Sequence, residues 1–346
     1  MTKEKTMISI IIPVFNREAF IQDAIESVLR QSMQSLELIV IDDGSTDRSA
    51  EIIKHFVKND SRVHYYYQPN SGVSVARNHG LAKAQGDYVY FLDSDDFLDE
   101  NFIKTSFDAA EEAEADLVVV GSGYESRLPS PMALPTCAQF WKHDFLKKNR
   151  DIQFPVGIQP GEDGLFSHFL FTKTDRIAFN GQGIYHYRSH EGQNHRKAAD
   201  DGDRTIEVIK KWFELLRTFY EKESFFSTKS LHLAQFVAHE PFEYRYLRTA
   251  LSDEQKQTLM DLIQNFFKQH IQPYLGLNDF NKLGEPFRYF LQSSSYVDFD
   301  TFYGDWKIRR TKQLKRNLFL LKFIPVKSYR KRMRAQFREE FSLLQS

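Results

Sequence analysis

"YVYFLDSDDFLDE", residues 88–100, runs from an apolar strand directly into a crowd of carboxylates. Asp93, Asp95 and Asp96 fall within four positions, with Asp99 and Glu100 close behind. Like charges packed this tightly repel one another and raise each other's pKa. One reading is a strand end leading into a helix N-terminus, where Asp is favoured for capping and for the helix dipole. The other is a divalent cation that gathers the carboxylates around a phosphorylated ligand. The sequence on either side weighs between them.

Upstream, strands and helices alternate. "ISIIIPV" (8–14) is a near-continuous β-branched run, as expected of a strand buried on both faces. "REAFIQDAIESVLRQS" (17–32) follows with Phe20, Ala24, Ile25 and Val28 at helical spacing. "LELIVI" (36–41) predicts a second strand ended by "DDGSTD", with Ser45 or Thr46 placed to cap the helix through "RSAEIIKHFVK". "RVHYYYQ" (62–68) and "DYVYFL" (87–92) predict strands on either side of a helix over 72–85. A further helix is expected at about 99–114, a strand at "DLVVVG" (116–121), a helix at 161–173 and a strand at 181–190. This order predicts an α/β fold with a mostly parallel sheet flanked by helices and right-handed crossovers. After about residue 203 the pattern turns to amphipathic helices, so a boundary is expected near residue 200: a sheet domain over 1–200 and a helical region over 201–346.

The composition is that of a globular protein: 41% hydrophobic and 27% charged over 346 residues. A single cysteine, Cys137, excludes an internal disulfide and a thiolate metal site. The N-terminal apolar run is too short for a bilayer span, so a cytoplasmic location is expected. The net charge of −1 hides a polarity. Residues 306–346 hold 13 Lys and Arg against Glu339 and Glu340, leaving 33 basic and 45 acidic residues before them. Such a tail calls for an anionic partner.

In open α/β sheets, ligands bind outside the carboxyl ends of the strands. "PVFN", "DDGSTD" and "DSDD" all meet that edge here. No G-x-G-x-x-G follows the first strand, and no G-x-x-x-x-G-K-[ST] occurs, so neither glycine-rich phosphate cradle is present. A diphosphate at this edge needs another source of positive charge. A cation held by Asp95, with Asp93 beside it, would supply it, and oxygen ligands suit Mg²⁺ or Mn²⁺.

Taken together, "SIIIPVFN", "LIVIDDGSTD", "GVSVARNHGLAKAQGDYVYFLDSDD" and "FPVGIQPGEDGLF" resemble the inverting glycosyltransferases of family 2, bacterial cell-surface glycan enzymes with the GT-A fold. The resemblance covers residues 7–190 approximately. It implies that Pro13, Val14 and Phe15 line the nucleobase, that Asp42 bonds the base, usually uracil, and that Arg77 lies against the nucleotide. It further implies that Asp93, within the Asp93–Ser94–Asp95 motif, faces the ribose or sugar while Asp95 binds Mn²⁺ or Mg²⁺. Asp163, with Glu162 beside it, is implied as general base. Inversion is an in-line displacement that needs a carboxylate opposite the leaving group. In "YHYRSHEGQNHR" (185–196), Arg188 is a candidate for bracing a phosphate and His190 for the metal or phosphate, although a polar loop with satisfied histidines would read the same way.

The implied activity is metal-dependent, non-processive transfer of one sugar from a nucleotide-diphosphate donor, in the first place a UDP-sugar, to a hydroxyl of a glycan, lipid-linked glycan or polyol. A Q-x-x-R-W motif and transmembrane helices, which mark processive relatives, are absent from the sequence. Two other readings stand beside it: a sugar-phosphate nucleotidyltransferase, which would carry a glycine-rich loop after the first strand, and a non-catalytic nucleotide-sugar-binding protein. In the tail, Val326, Tyr329, Met333, Phe337 and Phe341 form an apolar stripe surrounded by Lys327, Arg330, Lys331, Arg332, Arg334 and Arg338. A basic amphipathic helix of this kind suits an anionic membrane surface and implies peripheral association at the inner face of the cell membrane. Nucleic acid would explain the charge but not the stripe, so no nucleic-acid partner is expected. Packing of the stripe on the protein itself is the remaining alternative.

Overall fold

The computed structural model describes residues 7–128, 132–189 and 201–345. β1 (Ile8–Val14) and β2 (Leu36–Asp42) are buried along their whole length, which is why their sequences are apolar without alternation. α1 (Ile21–Leu29) lies between them in sequence, and α2 (Ser49–Asn59), β3 (Val63–Tyr67), α3 (Val73–Lys83) and β4 (Tyr88–Phe91) continue the alternation. Short β5 (Phe97–Leu98), α4 (Phe102–Glu112), β6 (Leu117–Val120), β7 (Gln139–Lys142), α5 (His143–Lys148), α6 (Glu162–Phe171), β8 (Ile177–Asn180) and β9 (Tyr185–His186) follow. The main sheet has the order β3-β2-β1-β4-β7-β6-β8. It is parallel except at β7, which pairs antiparallel with both β4 and β6. β5 and β9 form a separate two-stranded ribbon.

α3 packs on β1 at very close range. A Cβ at Gly80 would stand 2.3 Å from Ile11 Cγ2, so only glycine lets helix and strand approach this far. That approach sets the height of α3 over the strand ends, and with it the position of Arg77.

Three local expectations are corrected. Ser45 and Thr46 do not cap α2; the Ser45 hydroxyl receives the Asn16 N–H at 3.1 Å and the Thr46 N–H bonds Asn16 Oδ1 at 2.8 Å, so both staple the first loop to the second. Of the strand expected over 181–190 only β9 (Tyr185–His186) forms, and β8 (Ile177–Asn180) precedes it; between the two, Asn180 Oδ1 accepts the N–H groups of Gln182 and Gly183 and turns the chain. β7 is additional; its four residues follow the Pro-rich 126–136 stretch and give no periodic signal of their own.

The chain divides into two compact units, Met1–Ala250 and Leu251–Ser346, where the sequence reading sets a boundary near residue 200. The first unit is longer because α7 (Gly202–Lys222) packs within it. Trp212 is fully buried, and the Tyr220 hydroxyl bonds His168 Nε2 of α6 at 3.0 Å. The second unit is helical, with a core of Leu259, Met260, Ile263, Phe287, Phe290 and Phe299. Its first helix, Asp253–Phe266, starts with a capping box formed by Ser252 and Gln255.

A chain ending at Ala250 is therefore expected to melt cooperatively. One ending near residue 200 should lose that transition, as it strips Trp212 and Tyr220 from the core. Trp212→Ala in the full chain should cost about 3–5 kcal/mol by denaturant unfolding.

Candidate functional site

A cavity of about 580 Å³ opens at the carboxyl ends of β1, β2 and β4, a size suited to a nucleotide-scale ligand. Its wall is made by Pro13–Arg17, Asp43, the start of α3, Asp93–Asp96 and Gln159–Asp163. Side chains tie these loops to one another. Asp43 accepts the Gln68 amide at 2.7 Å and the N–H groups of Ser71 and Gly72 at 2.8 Å each, joining the β2 loop to the start of α3. Asn78 of α3 exchanges two hydrogen bonds with the Phe154 backbone, at 2.9 and 3.0 Å, pinning the segment that leads to Glu162.

At the floor lies Arg77, 5% exposed. Its guanidinium donates to Glu162 Oε1 at 2.8 Å and to Asp93 Oδ1 at 3.0 Å, with the Phe154 ring 5.4 Å away. Burial alone would disfavour its charge, but Asp93, Glu162 and Asp163 outweigh that and push its pKa up. Six carboxylates line the cavity (Asp43, Asp93, Asp95, Asp96, Glu162 and Asp163) against Arg17 and Arg77 as the lining guanidinium groups. Burial raises the Asp93 pKa; Arg77 opposes this and Asp95 adds to it. Asp96 is pushed up to about 6, again by burial, even though it accepts the Tyr185 hydroxyl at 2.5 Å and the Arg188 N–H at 2.8 Å.

Glu162 and Asp163 open α6 and differ in what they can do. Glu162 is buried and committed to Arg77. Asp163 is half-buried, lines the cavity, and takes a hydrogen bond from the Gly164 N–H at 2.8 Å. Burial first, and then the neighbouring Glu162, push its pKa up to about 7, against the opposing pull of Arg77. A carboxylate with that value is matched to taking a proton near neutral pH. The turn before it is fixed by Gly161, whose φ of 97° and whose Cβ position, 2.1 Å from the Trp212 ring, both require glycine.

Of the residues expected from sequence, Pro13, Val14, Phe15, Arg77, Asp93, Ser94, Asp95, Glu162 and Asp163 all line this cavity. Phe15 is 44% exposed there, an apolar face available to a planar ligand. Asp42 does not line it. It is fully buried and accepts the Ser45 N–H at 2.8 Å and the Tyr65 hydroxyl at 2.7 Å, while Asp43 occupies the wall. Arg188 also stays outside the lining: its guanidinium pairs with Asp23 at 2.9 Å and lies 4.8 Å from the Phe97 ring. His190 lies outside the described residues.

Residues that sequence reasoning passed over include Asn16, Arg17, Asp43, Asn78, Tyr187 and Trp212. Arg17 Nε stands 3.6 Å from Asp95 Oδ2. Its place directly after "PVFN" was the available signal; nothing in the sequence marks Trp212, which is 51 residues from the glycine it covers. Among the described residues, no group of three or more His, Cys, Asp or Glu is arranged to hold a metal ion by itself.

Residues 9–174 match the family model described as glycosyl transferase family 2, and this segment is a domain of that family. The chain is 30% identical over 209 residues to an uncharacterized glycosyltransferase, EpsJ, of Bacillus subtilis, covering 53% of this chain and 61% of that protein. It is 47% identical over 97 residues to a putative teichuronic acid biosynthesis glycosyltransferase, TuaG, of Bacillus subtilis, covering 28% of this chain and 38% of that one. The chain thus spans less than two thirds of the length of these relatives. Among solved structures, S. aureus TarS 1–349 in complex with UDP-GlcNAc superposes with a TM-score of 0.66 at 21% identity, covering 85% of this chain and 88% of that one. The fold is GT-A.

Removing Arg77 should expose how far the site depends on it. Arg77→Met leaves the buried Glu162 and the partly exposed Asp93 without their cation and should cost about 3–5 kcal/mol in urea unfolding. Arg77→Lys, which keeps the charge but loses the fork, should fall between it and the native chain.

Proposed function

We propose that this protein is an inverting, non-processive glycosyltransferase of bacterial cell-surface glycan synthesis. It would move one hexosyl or N-acetylhexosaminyl group from a nucleotide-diphosphate donor, a UDP-sugar in the first place, to a hydroxyl of a glycan, lipid-linked glycan or polyol. The observation that carries the proposal is the division of labour in "GED": Arg77 engages Glu162, and Asp163 is left on the cavity wall with a pKa near neutrality.

In this reading the base lies against Pro13–Phe15, the diphosphate lies toward Asp93–Asp96, and the sugar is placed between those carboxylates and Asp163. The acceptor oxygen attacks the anomeric carbon from the face opposite the diphosphate. Asp163 takes the hydroxyl proton as the new C–O bond forms and the bond to the phosphate oxygen breaks. Arg77 holds Glu162 in place through the bond to its Oε1, so that Asp163 is the carboxyl of the pair presented to the acceptor.

The surplus of carboxylates over guanidinium groups fits a divalent cation, Mn²⁺ or Mg²⁺, held by Asp95 with Asp93 and by oxygens of the donor phosphates. Bound there, it would supply positive charge to the departing diphosphate. We place the enzyme at an anionic membrane surface on the cytoplasmic side, reached through its basic C-terminal region. UDP-GlcNAc in TarS supports a UDP-sugar as donor here.

Asp163→Asn should lower transfer by about 10²–10⁴-fold with donor affinity nearly unchanged, measured by nucleoside diphosphate release and by direct titration. A large loss of donor affinity would refute the base assignment, and release of pyrophosphate would favour nucleotidyl transfer. Because the base acts deprotonated, kcat/KM should rise with pH through about 7 and flatten above it. Asp95→Ala should abolish the response of donor binding to added Mn²⁺, whereas an unchanged response would remove Asp95 from the metal site.

A further inference from the structure

The C-terminal unit ends in two helices, Tyr296–Leu320 and Lys327–Gln345, joined by a turn of 3-10 helix at Leu321–Phe323. Away from the turn, the second helix is engaged by the first. Arg310 forks onto both Glu340 carboxylate oxygens at 2.6 and 3.0 Å, and Lys315 Nζ sits 5.8 Å from the Phe341 ring. Leu314 and Leu344 are buried. Part of the apolar stripe read in the sequence is therefore occupied within the unit.

At the turn the situation reverses. Phe319 is 56% exposed, Leu320 51%, Phe323 71%, Val326 56% and Tyr329 44%. These are five large apolar side chains within eleven residues, and Leu321 among them is buried and anchors the turn. Phe319 and Phe323 meet edge to face at 5.6 Å, with Lys322 Nζ 5.4 Å from the Phe319 ring. Lys312, Arg316, Lys322 and Lys327, before, within and after the turn in sequence, are exposed as well. From residue 306 to 338 the sequence holds 13 Lys and Arg and no Asp or Glu. Among the described residues, no helix is long and apolar enough to cross a membrane.

An apolar cluster of this size is costly in water, and a rim of cations without a single anion selects against a neutral or basic partner. Long Lys and Arg side chains can lie along an apolar surface and keep their charges at the level of phosphate headgroups. We propose that the 319–329 turn is a membrane-inserting tip. Phe319, Leu320, Phe323, Val326 and Tyr329 enter the boundary between headgroups and acyl chains of an anionic bilayer, and the surrounding cations bind the headgroups. The inference rests on the membrane part of the proposed function. It assigns the contact to the turn and to the first two stripe residues, Val326 and Tyr329, rather than to the far end of the stripe around Phe341.

Co-flotation of the full chain with vesicles tests it, comparing phosphatidylcholine alone with vesicles containing about one third phosphatidylglycerol. The native chain should float with the anionic vesicles only, and less so at high salt. Phe319→Ser combined with Phe323→Ser should reduce vesicle binding at least about tenfold, since two exposed aromatics carry much of the insertion. Both positions are exposed, so the far-ultraviolet circular dichroism and the melting temperature should stay native. A double variant that is folded and floats like the native chain would overturn the tip while leaving membrane association standing. A native chain that ignores anionic vesicles would overturn both. If the substitutions instead convert a native dimer to a monomer by light scattering with no effect on vesicles, the turn is an interface between copies and the proposal fails.

Discussion

The site is organised by one buried interaction: Arg77 held between Asp93 and Glu162. These residues come from α3, from the loop after β4 and from the first turn of α6, so a single guanidinium fixes three otherwise separate segments. Charges this far from water are stable only when paired with good geometry, and losing one partner leaves the others uncompensated. Two Arg77 nitrogens meet that condition, Nη1 on Glu162 and Nη2 on Asp93, whereas its Nε is buried without a hydrogen-bond partner among the described residues; the close approach of α3 to β1 at Gly80 sets where the guanidinium lies. Asn78, one residue on, binds the chain before Glu162 from the same helix.

The arrangement has an electrostatic cost that a ligand would offset. Asp93, Asp96 and Asp163 all have raised pKa values, chiefly through burial. Each therefore holds its proton more tightly in the folded chain than in the unfolded one. Their contribution to stability is complete below the unfolded carboxyl range near pH 4, and for Asp163 it is lost as the pH rises through about 7. Above about pH 7 Asp163 is thus ionised at the expense of fold stability, and binding of positive charge at the strand ends should restore part of it.

Much of this was legible in the sequence, for physical reasons. β1, β2, β4 and β6 are buried on both faces and announce themselves as unbroken apolar runs. "PVFN", "DSDD" and "GED" sit where an open α/β sheet collects its ligands, and the fold brings all three to one cavity. Which of the paired aspartates in "DDGS" faces that cavity was not legible. Consecutive residues at a strand end point opposite ways, so a one-residue difference sends Asp42 under Tyr65 and Asp43 to the wall. Nor could helical periodicity say what a helix packs against. The pattern in 202–222 predicts an amphipathic helix but not that Trp212 closes over Gly161, which is why the first unit extends to Ala250. In the tail, periodicity marks the stripe but not its surroundings: Phe341 is engaged within the C-terminal unit, whereas Val326 and Tyr329 stay exposed next to the turn.

The central claim is that the cavity beside Arg77 is a nucleotide-sugar site completed by a cation. Calorimetric titration with a panel of nucleoside-diphosphate sugars, in Mn²⁺ and after chelation, tests it most directly. The expected result is saturable binding of one UDP-sugar at a single site per chain, lost when the metal is removed. Binding that is indifferent to chelation would contradict the metal's role, and no binding of any nucleotide sugar in the presence of Mn²⁺ would contradict the claim itself.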